Sequence, residues 1–188
     1  VTTMQATPAM WQMLLDSGWN GKHDLRVFCG GETLSRELAE SLLPCTRAVW
    51  NLYGPTETTI WSTVDRVTSG TGTVSIGRPI ANTTVYILDD NNNAVPPNFV
   101  GHLYIGGSGL ATGYYGQSGL TAEKFIELTL PNGRTERLYR TGDLARFTAD
   151  GKIDFMGRSD FQVKLRGYRI ELDEIEAHLR GHPGVREA

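Results

Sequence analysis

Apolar residues in the first sixty positions follow a helical spacing and then a strand spacing. From Pro8 to Gly18 they recur three and four positions apart, which predicts an amphipathic helix with proline in its first turn and glycine at its end. The run LRVFCGG is typical of a buried strand, SRELAESLL of a helix opened by Ser35, and RAVWNLY of a second strand. A strand, a helix and a strand at this spacing form a βαβ unit with parallel strands. We therefore expect residues 1–66 to be part of a large N-terminal α/β subdomain.

The helical pattern disappears beyond about Val67. Turn residues separate short segments such as TVYIL and HLYIG, which are typical of antiparallel strands. Only the stretch from Thr121 to Phe125 has helical character, with Thr121 as its cap, before RLYRTGDLARF and KIDFMGR resume the strand pattern. The pattern predicts a distorted antiparallel β-barrel over residues 67–158.

A third pattern follows the predicted barrel. QVKLR and YRIEL alternate as a hairpin around Gly167, and DEIEAHLRGHPG predicts an amphipathic helix with capping-box spacing between Asp173 and Glu176. We expect residues 159–188 to begin a small α+β C-terminal lobe. Because the chain opens on Val1 and a new apolar segment begins as it closes, we also expect it to be an internal part of a longer polypeptide.

Charge and cysteine content narrow the functional classes. The net charge of −3, with both signs interspersed, gives no field that would attract nucleic acid or an anionic membrane. No apolar run approaches the roughly 18 residues that a membrane span needs. Cys29 and Cys45 are too few for a disulfide framework and lack metal-site spacing, so we expect a cytoplasmic protein whose partners are small molecules or other proteins.

Polar and flexible residues follow both predicted parallel strands. The carboxyl ends of such strands meet at one edge of a sheet, where α/β proteins bind ligands. Adjacent glycines let a flat ligand lie against the backbone, and an aromatic ring can stack on it. The sequence therefore predicts one crevice lined by both strand ends, with Gly30, Gly31 and Glu32 from the first and Asn51, Tyr53 and Gly54 from the second.

The segment NLYGPTETT, residues 51–59, also carries groups that suit a nucleotide and its metal. Thr56 can donate to an anion, and Glu57 can hold a hard cation such as Mg²⁺. A second interpretation uses the same residues: Thr56 caps a helix, Glu57 favours the dipole of that helix, and Tyr53 belongs to the core.

Three later segments are ambiguous when each is taken alone. The run from Gly106 to Gly116 lacks the ending of a Walker motif and the spacing of a dinucleotide fingerprint, so a glycine-rich hairpin or bulge explains it better. In YRTGDLAR, the Asp143 carboxylate could accept hydrogen bonds from a ribose diol. The basic cluster Arg158, Lys164, Arg166 and Arg169 is typical of a solvated strand face, but it could also meet a phosphate or the acidic surface of a partner.

Taken in order, these segments resemble one family. NLYGPTETT, GHLYIGGSGLATGYYG followed by LTAEKF, YRTGDLAR, and GRSDFQVKLRGYRIELDEIE are similar to four successive core motifs of the adenylation domains of nonribosomal peptide synthetases, which are adenylate-forming enzymes. The resemblance covers nearly the whole chain. The proline of YGPTE and the last segment resemble a peptide synthetase more than an acyl-CoA synthetase or a luciferase.

The resemblance implies a reaction in two steps. An amino acid attacks the α-phosphate of ATP with Mg²⁺ to give an aminoacyl adenylate and pyrophosphate. The aminoacyl group then passes to the phosphopantetheine thiol of a peptidyl carrier domain, which we expect in the same polypeptide. Such chemistry relies on positioning and charge neutralisation more than on acids and bases.

The resemblance also implies roles for individual residues. Glu57 would hold Mg²⁺ and Thr56 would lie near the phosphates, so these are the catalytic candidates. Tyr53 would flank the adenine, whose amino group Asn51 would contact, and Asp160 would be the hinge at which the C-terminal lobe rotates. The full set implied in nucleotide binding is Gly30, Gly31, Glu32, Asn51, Tyr53, Gly54, Asp143, Arg158 and Lys164.

Substrate choice can be carried over in part. The positions that match the family's substrate pocket are Gln5, Val27, Cys29, Leu52, Ile60 and Trp61. The indole of Trp61 and the branched Leu52 would fill the pocket floor, which favours a small side chain and is similar to pockets for glycine. In the alternative, Trp61 is a core residue turned away from the ligand.

Several features depart from the family pattern. His102 stands where the family usually has Glu, Thr112 where Arg is common, and GQSG, residues 116–119, replaces an Arg-Pro turn. The chain lacks a phosphate loop, the aspartate segment that holds the substrate amino group and the C-terminal lysine segment. We therefore expect it to be inactive on its own. The alternatives are an acyl-CoA synthetase-like ligase and a degenerate fragment that keeps only nucleotide binding or a protein contact.

Overall fold

The computed structural model describes residues 1–130, 133–165 and 168–187, apart from the side chains of Lys164, Leu165, Arg169 and Asp173. Arg166 and Gly167, which the sequence placed in a basic cluster and a hairpin turn, lie outside the described residues. The described chain forms two five-stranded sheets, a two-stranded hairpin and four helices.

The first sheet contains the predicted βαβ unit. Its elements are β1 (Thr3–Ala6), α1 (Pro8–Asp16), β2 (Lys22–Gly30), α2 (Arg36–Leu42), β3 (Thr46–Tyr53), β4 (Thr63–Arg66) and β5 (Arg78–Pro79). Strands β1, β2 and β3 pair in parallel, while β4 and β5 add to the sheet in antiparallel orientation. The sheet is therefore mixed, and β5 reaches beyond the predicted boundary at residue 66.

Local chemistry explains where the two helices of this sheet begin. The side chains of Thr7 and Ser35 accept hydrogen bonds from the backbone N–H groups of Met10 and Leu38, respectively, which satisfies a donor that each helix leaves open. Both helices cover one face of the sheet. The resulting core includes Trp11, Leu25, Val27, Cys29, Leu38, Leu42 and Val49.

The second sheet is antiparallel throughout. Its elements are β6 (Thr83–Leu88), β7 (Gly101–Gly107), α3 (Ser118–Lys124), β8 (Phe125–Thr129), β9 (Thr135–Phe147) and β10 (Ile153–Arg158). The strand order is β10-β9-β7-β6, and β8 pairs with the first half of β9. The prediction of antiparallel strands is confirmed.

The prediction of a barrel is wrong, because this sheet stays open. Strand β10 does not close on β6; Ile153 forms a bridge with Gly77 from the segment that precedes β5. The inner face of the sheet packs on Tyr53 and Ile76 instead of on a further strand. A sheet that buries its apolar face against a neighbouring lobe has no need to close on itself.

Two helix caps also differ from the prediction. Helix α3 begins at Ser118, so Thr121 lies inside its first turn, where its hydroxyl donates to the Gln117 carbonyl. Helix α4 (Leu172–Arg180) follows Glu171, which makes no side-chain cap hydrogen bond, and the side chain of Asp173 lies outside the described residues.

The predicted hairpin before α4 is confirmed, since β11 (Val163–Leu165) and β12 (Tyr168–Ile170) pair in antiparallel register. Within the described ranges, no helix has both the length and the apolarity that a membrane span requires.

Candidate active site

A cavity of about 660 Å³ lies between the two sheets, at the carboxyl ends of β2 and β3. This is the edge where parallel α/β sheets bind ligands, and the volume suits a small molecule. The structure brings together most of the residues that the sequence assigned to a nucleotide. The cavity is lined in part by Gly31, Glu32, Asn51, Leu52, Tyr53, Gly54, Asp143 and Arg158.

Asp143 is the charged centre of this cavity. It lies in the middle of β9 and is only 3% exposed. The Tyr53 hydroxyl donates to its Oδ2 at 2.5 Å, and Nη1 of Arg158 donates to its Oδ1 at 2.5 Å. A buried carboxylate is stable only when paired and hydrogen-bonded, and both conditions are met here.

Arg158 joins Asp143 to the predicted hinge residue. Its Nε and Nη2 donate to the two carboxylate oxygens of Asp160 at 2.6 and 2.7 Å. Burial opposes the charge of Arg158, but its hydrogen bonds to Asp160 and the charge of Asp143 outweigh this effect, so the pKa of Arg158 is raised. Burial likewise opposes the charge of Asp160, and the Arg158 hydrogen bond lowers the pKa of Asp160 nonetheless. The predicted nucleotide site and the predicted hinge residue thus share one guanidinium.

Position 142, directly before Asp143 in β9, requires glycine for two reasons. Gly142 has a φ of +77°, which L side chains rarely adopt. A Cβ at this position would also overlap the Asp160 carboxylate and the Arg158 guanidinium. Strand β9 runs without a break through Thr141 and Gly142, so this glycine is part of the strand and of the charged cluster.

Tyr53 belongs both to the core and to the cavity wall. It is 8% exposed and its ring lies 6.4 Å from that of Phe155. Burial, and then the neighbouring Asp143 charge, raise the pKa of Tyr53 well above its ordinary value. The hydroxyl therefore stays protonated and keeps donating to Asp143. The two interpretations of Tyr53 as a core residue and as a ligand-facing ring are compatible.

The other residues at the strand ends make hydrogen bonds within the first lobe. The side-chain amide of Asn51 is buried and donates to the Ser75 carbonyl at 2.8 Å. The Glu32 carboxylate accepts from the backbone N–H of Ala9 at the start of α1. Gly31 has a φ of +91°, so it turns the chain out of β2 at the cavity edge.

Glu57 lies beside the cavity and does not line it. It sits in a single 3₁₀ turn, Thr56–Thr58, and is 6% exposed, whereas Thr56 is exposed. No side chain caps this turn, and no longer helix follows it, so the interpretation of Thr56 as a helix cap is wrong. The hydroxyl of Tyr114 donates to Oε1 of Glu57 at 2.6 Å.

Tyr114 was not singled out from the sequence. It lies in the glycine-rich segment after β7, which we interpreted as a hairpin or bulge. The structure shows instead a loop that docks on the Glu57 turn: the Ala111 N–H donates to the Glu57 carbonyl at 2.9 Å, and Thr59 Oγ1 donates to the Gly109 carbonyl at 2.7 Å. The two tyrosines that follow the glycines were the signal that could have identified this loop.

Of the six predicted substrate-pocket residues, Leu52 is the one among the lining residues of the cavity, and the pocket role of the set stays a prediction. Leu52 lines the cavity, and Trp61 is half-buried with its ring against Gly30, so close that a Cβ there would overlap it. Val27 and Cys29 are fully buried under the helices, and burial raises the pKa of Cys29 to about 12. The remaining two residues, Gln5 and Ile60, are exposed.

The donor set can be tested against the implied nucleotide and metal. Among the described residues, no group of three or more His, Cys, Asp or Glu side chains could hold a metal ion. Mg²⁺ in nucleotide sites needs only one or two carboxylates, since phosphates and water supply the other ligands. Glu57 as a single carboxylate fits that requirement. The side chain of Lys164 lies outside the described residues.

Comparisons with known proteins agree with the geometry. The family described as AMP-binding enzyme matches residues 1–115. A dimodular nonribosomal peptide synthase of Bacillus subtilis is 49% identical over all of this chain, and a linear gramicidin synthase of Brevibacillus parabrevis is 51% identical over the same span. The chain covers only 8% and 4% of the length of these two relatives.

Solved structures agree as well. A holo four-domain nonribosomal peptide synthetase bound to AMP and glycine aligns over the whole chain with a TM-score of 0.80 and 48% identity, and the match covers 14% of that structure. A holo peptide synthetase protein with adenylation and PCP domains, bound to a vinylsulfonamide inhibitor, aligns with a TM-score of 0.91 and 33% identity over 34% of its length. Since the family match alone extends over more than half of the chain, this protein belongs to the AMP-binding enzyme family.

Proposed function

We propose that this chain is part of an amino-acid-activating adenylation domain of a nonribosomal peptide synthetase. The domain would form an aminoacyl adenylate from an amino acid and MgATP, and would load it onto a phosphopantetheinyl carrier domain. The observation that carries the proposal is the cavity at the ends of β2 and β3, where Tyr53, Asp143 and Arg158 form one buried network. The similarity to peptide synthetases over the whole chain supports it.

The network suits a nucleoside. A carboxylate can accept about four hydrogen bonds, so Asp143 can accept ribose hydroxyls beside its contacts with Tyr53 and Arg158. Arg158 holds that carboxylate in place through an ion pair. Gly31 and Gly54 carry no side chain that would cover the backbone of the two strand ends, and Asn51 lines the same cavity.

The phosphates would extend from this cavity towards the 3₁₀ turn. Thr56 is exposed there and can donate to a phosphate oxygen, while Glu57 can bind a hard cation. Bound Mg²⁺ would neutralise the charge that develops on pyrophosphate as it leaves. The protein's own contribution is to hold the α-phosphate and the attacking carboxylate in line.

We infer a small amino acid, with glycine as the leading candidate. The Trp61 ring lies against Gly30 and Leu52 lines the cavity, so two bulky side chains stand where the resemblance places the pocket floor, which favours a small substrate side chain. The peptide synthetase structure bound to AMP and glycine is similar to this chain over its whole length and supports the same inference. The core placement of Val27 and Cys29 keeps their pocket role a prediction.

Amino-acid-dependent exchange of pyrophosphate into ATP, measured on the full-length protein, tests the proposal. We expect exchange with one small amino acid and little with bulky aromatic ones. If no amino or hydroxy acid supports exchange, the proposed function is wrong. If an aromatic amino acid supports it best, only the inference about substrate size is wrong.

Two alternatives make different predictions in the same assay. An acyl-CoA synthetase-like ligase would exchange pyrophosphate with a fatty or aromatic acid and transfer the acyl group to free CoA. A degenerate protein would bind a nucleotide at most and exchange nothing. The buried Asp143–Arg158 pair argues against degeneration, because buried ion pairs are costly to keep.

A further inference from the structure

The carboxylate of Glu57 is held from the side of the second sheet. The Tyr114 hydroxyl donates to its Oε1 at 2.6 Å, across 57 positions of sequence. A hydrogen bond to a carboxylate is stronger than one between neutral groups, so this contact fixes the orientation of the Glu57 side chain. Tyr139 lies next to it, with its hydroxyl 3.5 Å from that of Tyr114.

Tyr114 is itself fixed by contacts that are independent of Glu57. Its N–H donates to Thr121 Oγ1 at 2.9 Å, and its ring meets the Phe125 ring edge-on with centroids 5.7 Å apart. The guanidinium of Arg137 lies 4.5 Å above the Phe125 ring. The tyrosine therefore reaches Glu57 from a rigid base at the start of β8.

The loop that carries Tyr114 also fixes the backbone of the 3₁₀ turn. The Ala111 N–H donates to the Glu57 carbonyl, and the Ala111 carbonyl accepts from Nη1 of Arg137 at 2.7 Å. Gly109 lies so close to the Thr58 carbonyl that a Cβ would stand 2.9 Å from it. Side chain and backbone of Glu57 are thus held by one loop.

We propose that Tyr114 is a positioning residue for metal binding by Glu57, an inference that rests on the proposed function. Groups that orient a metal ligand change metal affinity about 10- to 100-fold when they are removed. Tyr114 would act through Glu57 and would not touch the nucleotide. Its loss should therefore weaken binding of the metal-bound nucleotide and leave metal-free binding of AMP unchanged.

The test compares Tyr114→Phe with Tyr115→Phe in the full-length protein. The two variants lose the same hydroxyl at adjacent positions, and Tyr115 is fully exposed. Calorimetry would measure binding of MgATP and of AMP without metal, and pyrophosphate exchange would be titrated with Mg²⁺. We expect Tyr114→Phe to weaken MgATP binding at least about tenfold and to raise the Mg²⁺ requirement of exchange. Binding of AMP, and all properties of Tyr115→Phe, should match the wild type.

A double variant separates positioning from a structural effect. If Tyr114 acts through Glu57, Tyr114→Phe should have no further effect on MgATP affinity in a Glu57→Gln background. Should Tyr114→Phe lower the melting temperature strongly, Thr121→Val removes the hydroxyl that anchors Tyr114 and is expected to give the same selective loss.

Equal loss of MgATP and AMP binding, or Tyr114→Phe behaviour equal to that of Tyr115→Phe, would overturn the inference. Failure of the inference and failure of the proposed function are distinguishable. A wild-type protein without amino-acid-dependent exchange contradicts the function, whereas an active wild type with unchanged Tyr114→Phe contradicts only the role of Tyr114.

Discussion

Two buried carboxylates in this protein each accept a hydrogen bond from a tyrosine hydroxyl. Tyr53 donates to Asp143 at 2.5 Å, and Tyr114 donates to Glu57 at 2.6 Å. The surroundings differ. Asp143 lies in the long strand β9, lines the cavity and has the Arg158 guanidinium beside it. Glu57 lies in a three-residue turn outside the cavity lining.

The difference shows two ways of fixing a buried charge. At Asp143 the backbone of the sheet fixes the position of the carboxylate, and Arg158 pairs with it. We therefore expect folding and ligand binding to depend on the same carboxylate. At Glu57 a docked loop fixes the position of the carboxylate. The backbone is strained directly after the turn, because Thr59 and Ile60 both have a left-handed φ, at 63° and 72°. Such strain is typical of functional turns, so we expect Glu57 to matter more for activity than for stability.

The largest effect is expected for Asp143→Asn. Removing the carboxylate charge leaves the Arg158 guanidinium largely buried, with Asp160 as its remaining ionic partner among the described residues, which should cost about 3 kcal/mol of unfolding free energy. Nucleotide binding should fall in parallel, because the ribose acceptor is lost. Chemical denaturation and AMP calorimetry measure both quantities.

Asp154→Asn is the matched control for that prediction. Asp154 is also buried on the second sheet, in β10, and pairs with Arg146. Its loss should lower stability and leave nucleotide affinity unchanged, because it does not line the cavity. Intact AMP binding in Asp143→Asn would contradict the role proposed for the Asp143 centre.

Glu57→Gln should show the opposite balance. The amide oxygen can still accept from Tyr114, so the unfolding free energy should change by no more than about 1 kcal/mol. MgATP-dependent exchange should fall at least about tenfold, because the metal loses a charged ligand. Parallel losses of stability and exchange would mean that Glu57 has a structural role.

The sequence predicted the position of part of the cluster around Asp143 from local rules, whereas the role of Asp143 came from the family resemblance and stays a prediction. Polar residues at the ends of parallel strands gather at one sheet edge, which placed Tyr53 correctly. Asp143 follows Thr141 and Gly142 within β9, and Gly142 has a left-handed φ. The parallel pairing of β2 and β3 also follows from the spacing of apolar residues.

The contact between Tyr114 and Glu57 could not be predicted, since it joins segments that are distant in the sequence. Nothing in the periodicity of residues 106–116 indicates that Tyr114 reaches a carboxylate 57 positions away. The open second sheet was missed for the same reason: alternation predicts strands but not whether the outer ones meet. Here Gly77 occupies the edge of β10 that a barrel would have used.

A smaller effect is expected for Tyr53→Phe, which removes the same group as Tyr114→Phe. Arg158 still satisfies Asp143, so the loss of unfolding free energy should be about 1 kcal/mol. Alkaline stability gives a second readout. Burial, and then the Asp143 charge, raise the pKa of Tyr53 above 10.0, so the native protein keeps a proton that the unfolded chain releases, and stability falls as pH rises above 10.0.

Tyr53→Phe should therefore make the alkaline loss of stability shallower. Denaturant midpoints from about pH 8 to pH 11 measure this. The exposed Tyr115→Phe serves as the control and should leave the curve unchanged. An identical alkaline curve for Tyr53→Phe and the wild type would show that Tyr53 does not carry the raised pKa.

The smallest effect is expected for Asp160→Asn. This variant tests whether one carboxylate or two stabilise the Arg158 guanidinium. Asp160 is partly exposed, so its pair with Arg158 should contribute less than about 1 kcal/mol at neutral pH. Partial burial of Asp160 raises its pKa, but the hydrogen bond from Arg158 lowers it, and the net result is a pKa below the ordinary 3.8. That stabilisation is therefore complete above pH 3.8 and is lost as the pH falls through the lowered value.

Asp160→Asn should consequently flatten the acid limb of the stability curve below about pH 4. In an Asp143→Asn background, Asp160 becomes the remaining charged partner of Arg158 in the described chain, so the same substitution should cost more than it does in the wild type. Additive losses in this double-variant cycle would mean that the two carboxylates act independently. Coupled losses would mean that Arg158 links the proposed nucleotide site to the predicted hinge residue. Among the described contacts, the loop that holds Glu57 makes no similar link to Asp160.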